Sequence, residues 1–489
     1  MKRSRIIALL ALLVCLIAGG FLAAYRGDEI GALLLRHPVV TYDGTSFTPS
    51  TLTVGLGQTV TFRNRSNEAF WPASNLHPSH LIWSDFDPKK PVAPGDSWSF
   101  TFTKPGIWGY HNHIKPTIVG TIRVRDENGK DPVLDCSSPE NKQQCWENEI
   151  QQALDSKGVD GAFTVFKNFY ETDPQFASGC HAFSHLIGEK SYEQFISNET
   201  FHLTPQMQLC GYGFFHGFME TLLIKSGDIS LARDFCARVG KELSGEIPAA
   251  MNACYHGIGH GAVDGGDPRA WGDPVALIAP AISLCDRVGD DDFHKYLCGT
   301  GVFNGISIAS SNGDWGLRPS KDSVFKVCEA MTSPLYKKAC YEQINTLVYF
   351  LAGNDKREAL AIVDTMTEPE YYDSALFGVT SVFSHYDMTD EEFAEITGLC
   401  NAFDTQKRTA CFNGFVSALV EYGPLGKEYE VALHYCDIAD MNTDDKNNCY
   451  EKVALNTSFI ISPQQMLAIC DVIAQRVPLS NVPTCSSPR

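Results

Sequence analysis

Cys254-Tyr-His-Gly-Ile-Gly-His-Gly261 is the fullest copy of a pattern that recurs through the last two thirds of the chain. Cys210-Gly-Tyr-Gly-Phe-Phe-His-Gly217 is a second copy, and Cys298-Gly-Thr-Gly-Val-Phe-Asn-Gly305 a third, with Asn304 where the others have His216 and His260. Cys411-Phe-Asn-Gly414 keeps the first half. In the first three copies Gly falls three and seven residues after the Cys, so on a helix both glycines lie on one face. Glycine costs about 1 kcal/mol against alanine inside a helix. Its repetition at one register predicts helices whose backbones approach closely.

The cysteines set the period. Cys210, Cys254, Cys298 and Cys340 are 44, 44 and 42 residues apart, and Cys411 and Cys449 are 38 apart. The 71-residue gap from Cys340 to Cys411 has room for a cysteine-free copy near Ala375-Leu-Phe-Gly-Val379. A period of this length with paired helices is the signature of an α-solenoid, whose units bury their apolar faces only by stacking. A second signature alternates with the first: Asp234-Phe-Cys236, Ser283-Leu-Cys285, Lys326-Val-Cys328, Gly398-Leu-Cys400, His434-Tyr-Cys436 and Ala468-Ile-Cys470. Neighbour pairing then gives 236–254, 285–298, 328–340, 400–411, 436–449 and 470–485, with 136–145 a local pair and 180–210 left over. Each such loop closure is worth roughly 3 kcal/mol in the chain-entropy model.

The chain has 489 residues, enough for two or three domains, and a formal charge of −19 that disfavours nucleic acid as a partner. Of its 17 cysteines, 16 lie from Cys136 onward, and no CxxC occurs. Zinc-ribbon and c-type haem readings therefore fail, and an oxidising compartment is expected. Lys2, Arg3 and Arg5 precede an uncharged run from Ile6 to Ala24, followed by Arg26. The run predicts an uncleaved anchor over residues 1–26, in preference to a cleaved signal, with the remainder outside the cytoplasm.

Residues 27–130 read as a β-domain. Phe47, Leu52, Val54, Val60 and Phe62 alternate in short runs punctuated by Gly55, Gly57 and Asn64. About seven strands predict a sandwich. The order Phe47-Thr-Pro49, Leu52-Thr-Val54, Gly57, Val60, Phe62, Asn64, then Pro94-Gly95, Phe100, Phe102, Pro105-Gly106, Trp108, Tyr110 and Gly120, resembles a cupredoxin of the plastocyanin-like superfamily, over residues 37–126. It is also similar to the EfeO-type cupredoxin-like modules of bacterial extracytoplasmic proteins. The resemblance implies a Greek-key sandwich and a copper site. It departs from the blue-copper pattern, because this segment has no Cys and no Met, and Asn112 stands where the copper cysteine is expected.

His111-Asn-His113 is similar to the His-x-His strand of multicopper oxidases, and His80 precedes Leu81-Ile82-Trp83 as the first copper histidine of cupredoxins precedes its strand. On a strand, His111 and His113 share a face. With His77 and His80 they form a candidate mononuclear site for copper, or alternatively zinc. Surface histidines near loops are the plain alternative.

Residues 131–489 carry a second group: His181 and His185 at i, i+4, His256 and His260 at i, i+4, and His216 at the register of His260, with Glu220 one turn after His216. Such spacing presents imidazoles to one metal, though HExxH is absent. The alternative is a ladder of hydrogen bonds between packed repeats, which Asn304 at the same register favours.

The sequence thus predicts a multidomain chain: a transmembrane helix, a cupredoxin-like β-sandwich, and an all-α region of disulfide-stapled helical hairpins. The expected function is a single-pass, membrane-anchored, periplasmic or extracellular copper-binding protein whose helical repeats dock a protein partner. A metal-dependent oxidoreductase and a metal-free binding scaffold are the competing readings.

Overall fold

The computed structural model describes residues 38–486 apart from 81, 133–135, 137–140, 198–200, 264, 290, 386 and 425–426. The expected anchor, with Cys15, lies outside the described residues. Among these, no helix is long and apolar enough to cross a membrane.

Eight strands come first: β1 Val39–Tyr42, β2 Phe47–Thr48, β3 Thr51–Gly55, β4 Thr59–Asn64, β5 Pro72–Ser74, β6 Ser97–Thr101, β7 Gly106–Asn112 and β8 Lys115–Arg125. They form two four-stranded sheets, ordered β2-β1-β4-β6 and β3-β8-β7-β5. β1 runs parallel to β4 and β3 parallel to β8, while β6 and β5 add antiparallel. The alternation read from the sequence is the burial pattern: Val40, Tyr42, Val60 and Phe62 face inward, and Thr59, Thr61 and Arg63 do not. Tyr42 stacks on Phe70 at 5.0 Å between ring centroids. Asn64, the first residue of the sequon Asn64-Arg-Ser66, is buried, and its amide donates to the carbonyls of Glu68 and Val92 at 2.7 and 2.9 Å.

The helical part begins with α1 Lys142–Thr172, α2 Pro174–Ser197, α3 Gly213–Ser226, α4 Ile229–Leu243, α5 Ala250–Gly261, α6 Pro274–Cys285, α7 Asp292–Asn312, α8 Lys326–Glu329 and α9 Pro334–Gln343. It continues with α10 Asn345–Leu351, α11 Lys356–Val363, α12 Tyr372–Ser381, α13 Asp390–Asn401, α14 Thr405–Glu421, α15 Glu428–Ile438, α16 Thr443–Ile460, α17 Pro463–Ala474 and α18 Pro483–Ser486. One helix from each repeat packs on the next in the series α2, α3, α5, α7, α9, α12, α14, α16. The cysteine-free copy is α12, which packs between α9 and α14 as the 71-residue gap anticipates.

Glycine sets the spacing within this series. A Cβ on Gly301 would lie 1.9 Å from the carbonyl oxygen of His256, and one on Gly259 would lie 1.8 Å from that of Cys298. α5 and α7 therefore meet backbone to backbone. Gly217 stands in the same relation to His185, at 2.1 Å. Gly305 is the exception in the pattern, since a Cβ there would make only ordinary contact with Val263 at 3.5 Å.

Eight disulfides are present: 136–145, 180–210, 236–254, 285–298, 328–340, 400–411, 436–449 and 470–485. The neighbour pairing read from the sequence is thereby realised throughout. From 236–254 onward each staples a flanking helix to the following one, as Cys236 of α4 to Cys254 of α5.

Two compact units divide the described chain. One comprises 38–70, 92–109 and 118–132; the other comprises 71–91, 110–117 and the residues from 136 onward. Both histidine-bearing segments of the β-region thus belong to the same unit as the helices.

Candidate metal centre

β7 delivers His111 as its penultimate residue, paired with Ala73 of β5, and His113 follows just beyond the strand end. Between them Asn112 is fully buried, and its side-chain oxygen accepts the Trp71 and Ile114 backbone N–H groups at 2.9 and 3.2 Å. The residue at the expected cysteine position therefore braces the backbone that carries both histidines.

His77 and His80 lie on the loop after β5. The expected strand after His80 is not formed: Ile82 lies in a turn and Trp83 outside any strand. The strand on this side is β5, ahead of His77. Backbone bonds from His80 N to Leu76 O and from Ile82 N to Asn75 O fold the loop back on itself. His80 takes a left-handed φ of 52°, a conformation that costs a non-glycine residue on the order of 1 kcal/mol or more. The buried Asp87 carboxylate holds it there, accepting from His80 Nδ1 at 2.7 Å. Asp87 also accepts the Trp71 indole N–H at 2.7 Å and the Lys89 backbone N–H at 2.7 Å.

The structure brings His77, His80, His111 and His113 together. One nitrogen from each lies within 4.8 Å of the others, and this is the one such group of three or more potential ligands among the described residues. His77 Nδ1 is 3.2 Å from His111 Nε2, and His80 Nε2 is 3.0 Å from His113 Nδ1. The opposite nitrogens of three rings face carboxylates. His77 Nε2 is 2.8 Å from Glu220, His80 Nδ1 is 2.7 Å from Asp87, and His113 Nε2 is 3.5 Å from Asp314. A carboxylate within hydrogen-bond distance behind an imidazole, as at His77 and His80, fixes its tautomer and raises its basicity, the arrangement found around protein-bound metals.

Burial dominates the electrostatics. His80, His111 and His113 are 4%, 2% and 2% exposed. Burial pushes His80 down to about 4 against the pull of Asp87, and holds His111 well below the ordinary histidine range. His77 differs: burial opposes its charge most strongly, but the carboxylates of Glu220, Glu189 and Asp314 together raise the imidazole above its ordinary value. Neutral imidazoles with inward lone pairs are the protonation state that a divalent ion requires.

The second histidine group is also assembled, along α2, α3 and α5. His181 and His216 have ring centroids 5.1 Å apart, His216 and His256 5.1 Å, and His185 and His260 5.9 Å. His216 and His260 project from equivalent positions of adjacent helices, as the repeat register implies, and stack at 4.8 Å with an interplanar angle of 8°. Their in-plane lone pairs therefore lie in stacked, nearly parallel planes rather than converging on one point.

Glu220 links the groups: one oxygen meets His77 and the other lies 3.5 Å from His185 Nε2. Although burial opposes its charge, His77, His185 and His260 hold the carboxyl down at about 2. A small cavity, with ≈ 30 Å³ of room for water, lies beside it and is lined by His77, His113, His260, Asp314 and Trp315. Asp87 and Asp314 carry no motif that marks them in the sequence. Glu220 is marked only by its place one turn after His216.

No family model matches this chain, and no curated protein matches it. Among solved structures, it is similar to a reduced Cu(I) form of an amicyanin variant at pH 4, with 23% identity over 18% of this chain and 83% of that one, TM-score 0.17. A purple cupredoxin from Nitrosopumilus maritimus matches with 24% identity over 18% of this chain and 98% of that one, TM-score 0.16.

Proposed function

We propose that this protein is an extracytoplasmic copper-binding protein that holds one copper ion on His77, His80, His111 and His113. The observation that carries the reading is the convergence of four imidazole nitrogens within 4.8 Å, backed on three rings by Glu220, Asp87 and Asp314. Nitrogen donors alone suit Cu(II), with Zn(II) the alternative, and the absence of a thiolate rules out blue-copper character. Eight disulfides support an oxidising compartment. In this reading residues 1–26 anchor the chain in the membrane and the helical repeats dock a protein partner.

A metal-dependent oxidoreductase is the second reading. The cavity beside His77 and His113 favours it, because Glu220 and Asp314 set carboxylates next to the centre where protons could be exchanged.

Metal analysis of the purified chain, beside a His111→Ala/His113→Ala double variant, tests the proposal. Bound copper in the parent, lost in the double variant, is expected. A parent that stays metal-free after dialysis against Cu(II) and Zn(II) would instead support a metal-free scaffold.

A further inference from the structure

A cleft of ≈ 480 Å³ opens between α12 and α14, lined by Asp373, Thr405, Gln406, Thr409, Ala410 and Asn413. Its size suits a small-molecule ligand. Its chemistry does not suit an apolar one, because Ala410 is the one lining residue without a polar side chain. Several of these groups keep spare hydrogen-bonding capacity. Gln406 Nε2 donates to Asp373 Oδ2 at 2.5 Å, which leaves Gln406 Oε1 and Asp373 Oδ1 to accept. Asn413 Oδ1 accepts from Asn448 Nδ2 at 2.8 Å, which leaves Asn413 Nδ2 to donate. The Thr409 hydroxyl donates to the Thr405 carbonyl at 2.9 Å and can still accept.

A cation stands one helical turn from this lining by two routes. Asn448 and Lys452 lie at i, i+4 on α16, so they share a face. Asp373 and Phe377 lie at i, i+4 on α12, and the Phe377 ring centroid is 5.3 Å from Lys452 Nζ. Long helical side chains lean toward the N-terminus of their own helix, which carries the ammonium toward Asn448 and the cleft. Lys452 is half-buried, and among the described residues no carboxylate meets it within ion-pair distance. Glu342, the carboxylate that acts on it, is committed to the Tyr296 hydroxyl and to Lys338 at 3.8 Å. Burial lowers the Lys452 ammonium from its ordinary value against the pull of Glu342. A half-buried ammonium held over a ring face is incompletely compensated for lost water and open to an anion.

We propose that this cleft binds a uronic acid unit of a saccharide, with the sugar carboxylate on Lys452 and the sugar hydroxyls on Asp373, Gln406 and Asn413. Neighbouring sugar hydroxyls donate and accept at adjacent atoms. A carboxylate that accepts, beside amides that donate and accept, matches that pattern. The Thr405 and Thr409 methyls offer small apolar contacts to the C–H edges of a sugar ring. Other ligand classes fit less well. A polyanion would meet Asp373, a cation would meet Lys452, and an apolar ligand would leave the lining amides unpaired. The site shares no residue with the four-histidine centre, so it stands or falls independently of the metal.

Calorimetric titration of the full chain with D-glucuronate, its neutral analogue D-glucuronamide, and acetate tests the site. The parent should bind glucuronate saturably, and glucuronamide about tenfold more weakly, the scale of one charge-assisted hydrogen bond. Lys452→Met, which keeps the apolar stem, should remove that difference by weakening glucuronate alone. Gln406→Ala, at an exposed position, should weaken both sugars by about threefold to tenfold through lost hydrogen bonds. Circular dichroism and melting show whether each variant is folded; should Lys452→Met misfold, Lys452→Gln takes its place. The parent and the His111→Ala/His113→Ala variant should bind glucuronate alike. Absence of saturable glucuronate binding, equal binding of the amide, or unchanged affinity in folded Lys452→Met would overturn the proposal. Acetate binding as tightly as glucuronate would also overturn it, leaving a bare anion site.

Discussion

Glu220 Oε1 lies 2.8 Å from His77 Nε2, so a carboxylate on α3 backs an imidazole carried by the loop after β5. With the carboxylates of Glu189 and Asp314, the contact offsets the burial of His77 and raises its affinity for a proton. It does the same for a metal on the opposite nitrogen. Glu220→Gln should weaken metal binding at the four-histidine centre by roughly 10–100-fold, the usual effect of removing such a partner. Competition titration against a chelator of known affinity measures it. An unchanged affinity would show that His77 is not a ligand.

Copper at the four-histidine centre should give a type 2 spectrum. Asn112 stands at the expected cysteine position and is committed to backbone N–H groups of Trp71 and Ile114. Electron paramagnetic resonance of the Cu(II) protein should show the wide hyperfine splitting of nitrogen ligation. An intense absorption near roughly 600 nm, the thiolate-to-copper region, would contradict the ligand set.

The metal-free protein should lose stability in mild acid. Burial holds His185 at about 3 and His80 and His260 at about 4, against an ordinary 6.5. The unfolded chain takes up these protons first, so the stabilisation is complete above pH 6.5 and is lost as pH falls toward 4. His77 and His385, raised by neighbouring carboxylates, work in the opposite direction but are two rings against seven that are lowered. Above pH 4.5, the ordinary value of the Glu220 carboxyl, the loss belongs mainly to histidine. Urea midpoints should fall between pH 7 and pH 5, and a flat profile would mean that the rings are solvated.

Gly301→Ala should destabilise the protein by about 3 kcal/mol or more, because the new methyl collides with the His256 carbonyl and neither backbone can retreat freely. Gly398→Ala, on α13 with nothing near the new methyl, should stabilise it by about 0.5–1 kcal/mol. Thermal melting of the two variants side by side separates helix propensity from close approach.

The regular features were legible because they are local. Each disulfide joins cysteines at most 30 residues apart, and the glycine register repeats with the helices that need it. His77, His80, His111 and His113 stood out for the same reason, in two short segments. The supporting carboxylates did not, since Glu220 and Asp314 come from distant helices and turns, and pairing across such a span leaves no spacing to read. The loop at His80 also escaped: an apolar run after a histidine looks like a strand, and only the backbone bonds to Leu76 and Asn75 reveal a turn.

Every disulfide joins a cysteine to the next one along the described chain: 136 to 145, 180 to 210, and so on to 470 and 485. As a polypeptide enters an oxidising compartment from its N-terminus, each odd thiol waits only for its immediate successor. An oxidant that simply joins thiols in their order of arrival would produce the native connectivity. Secretion of this chain should therefore demand a disulfide oxidase but little help from an isomerase, even with eight bridges to place.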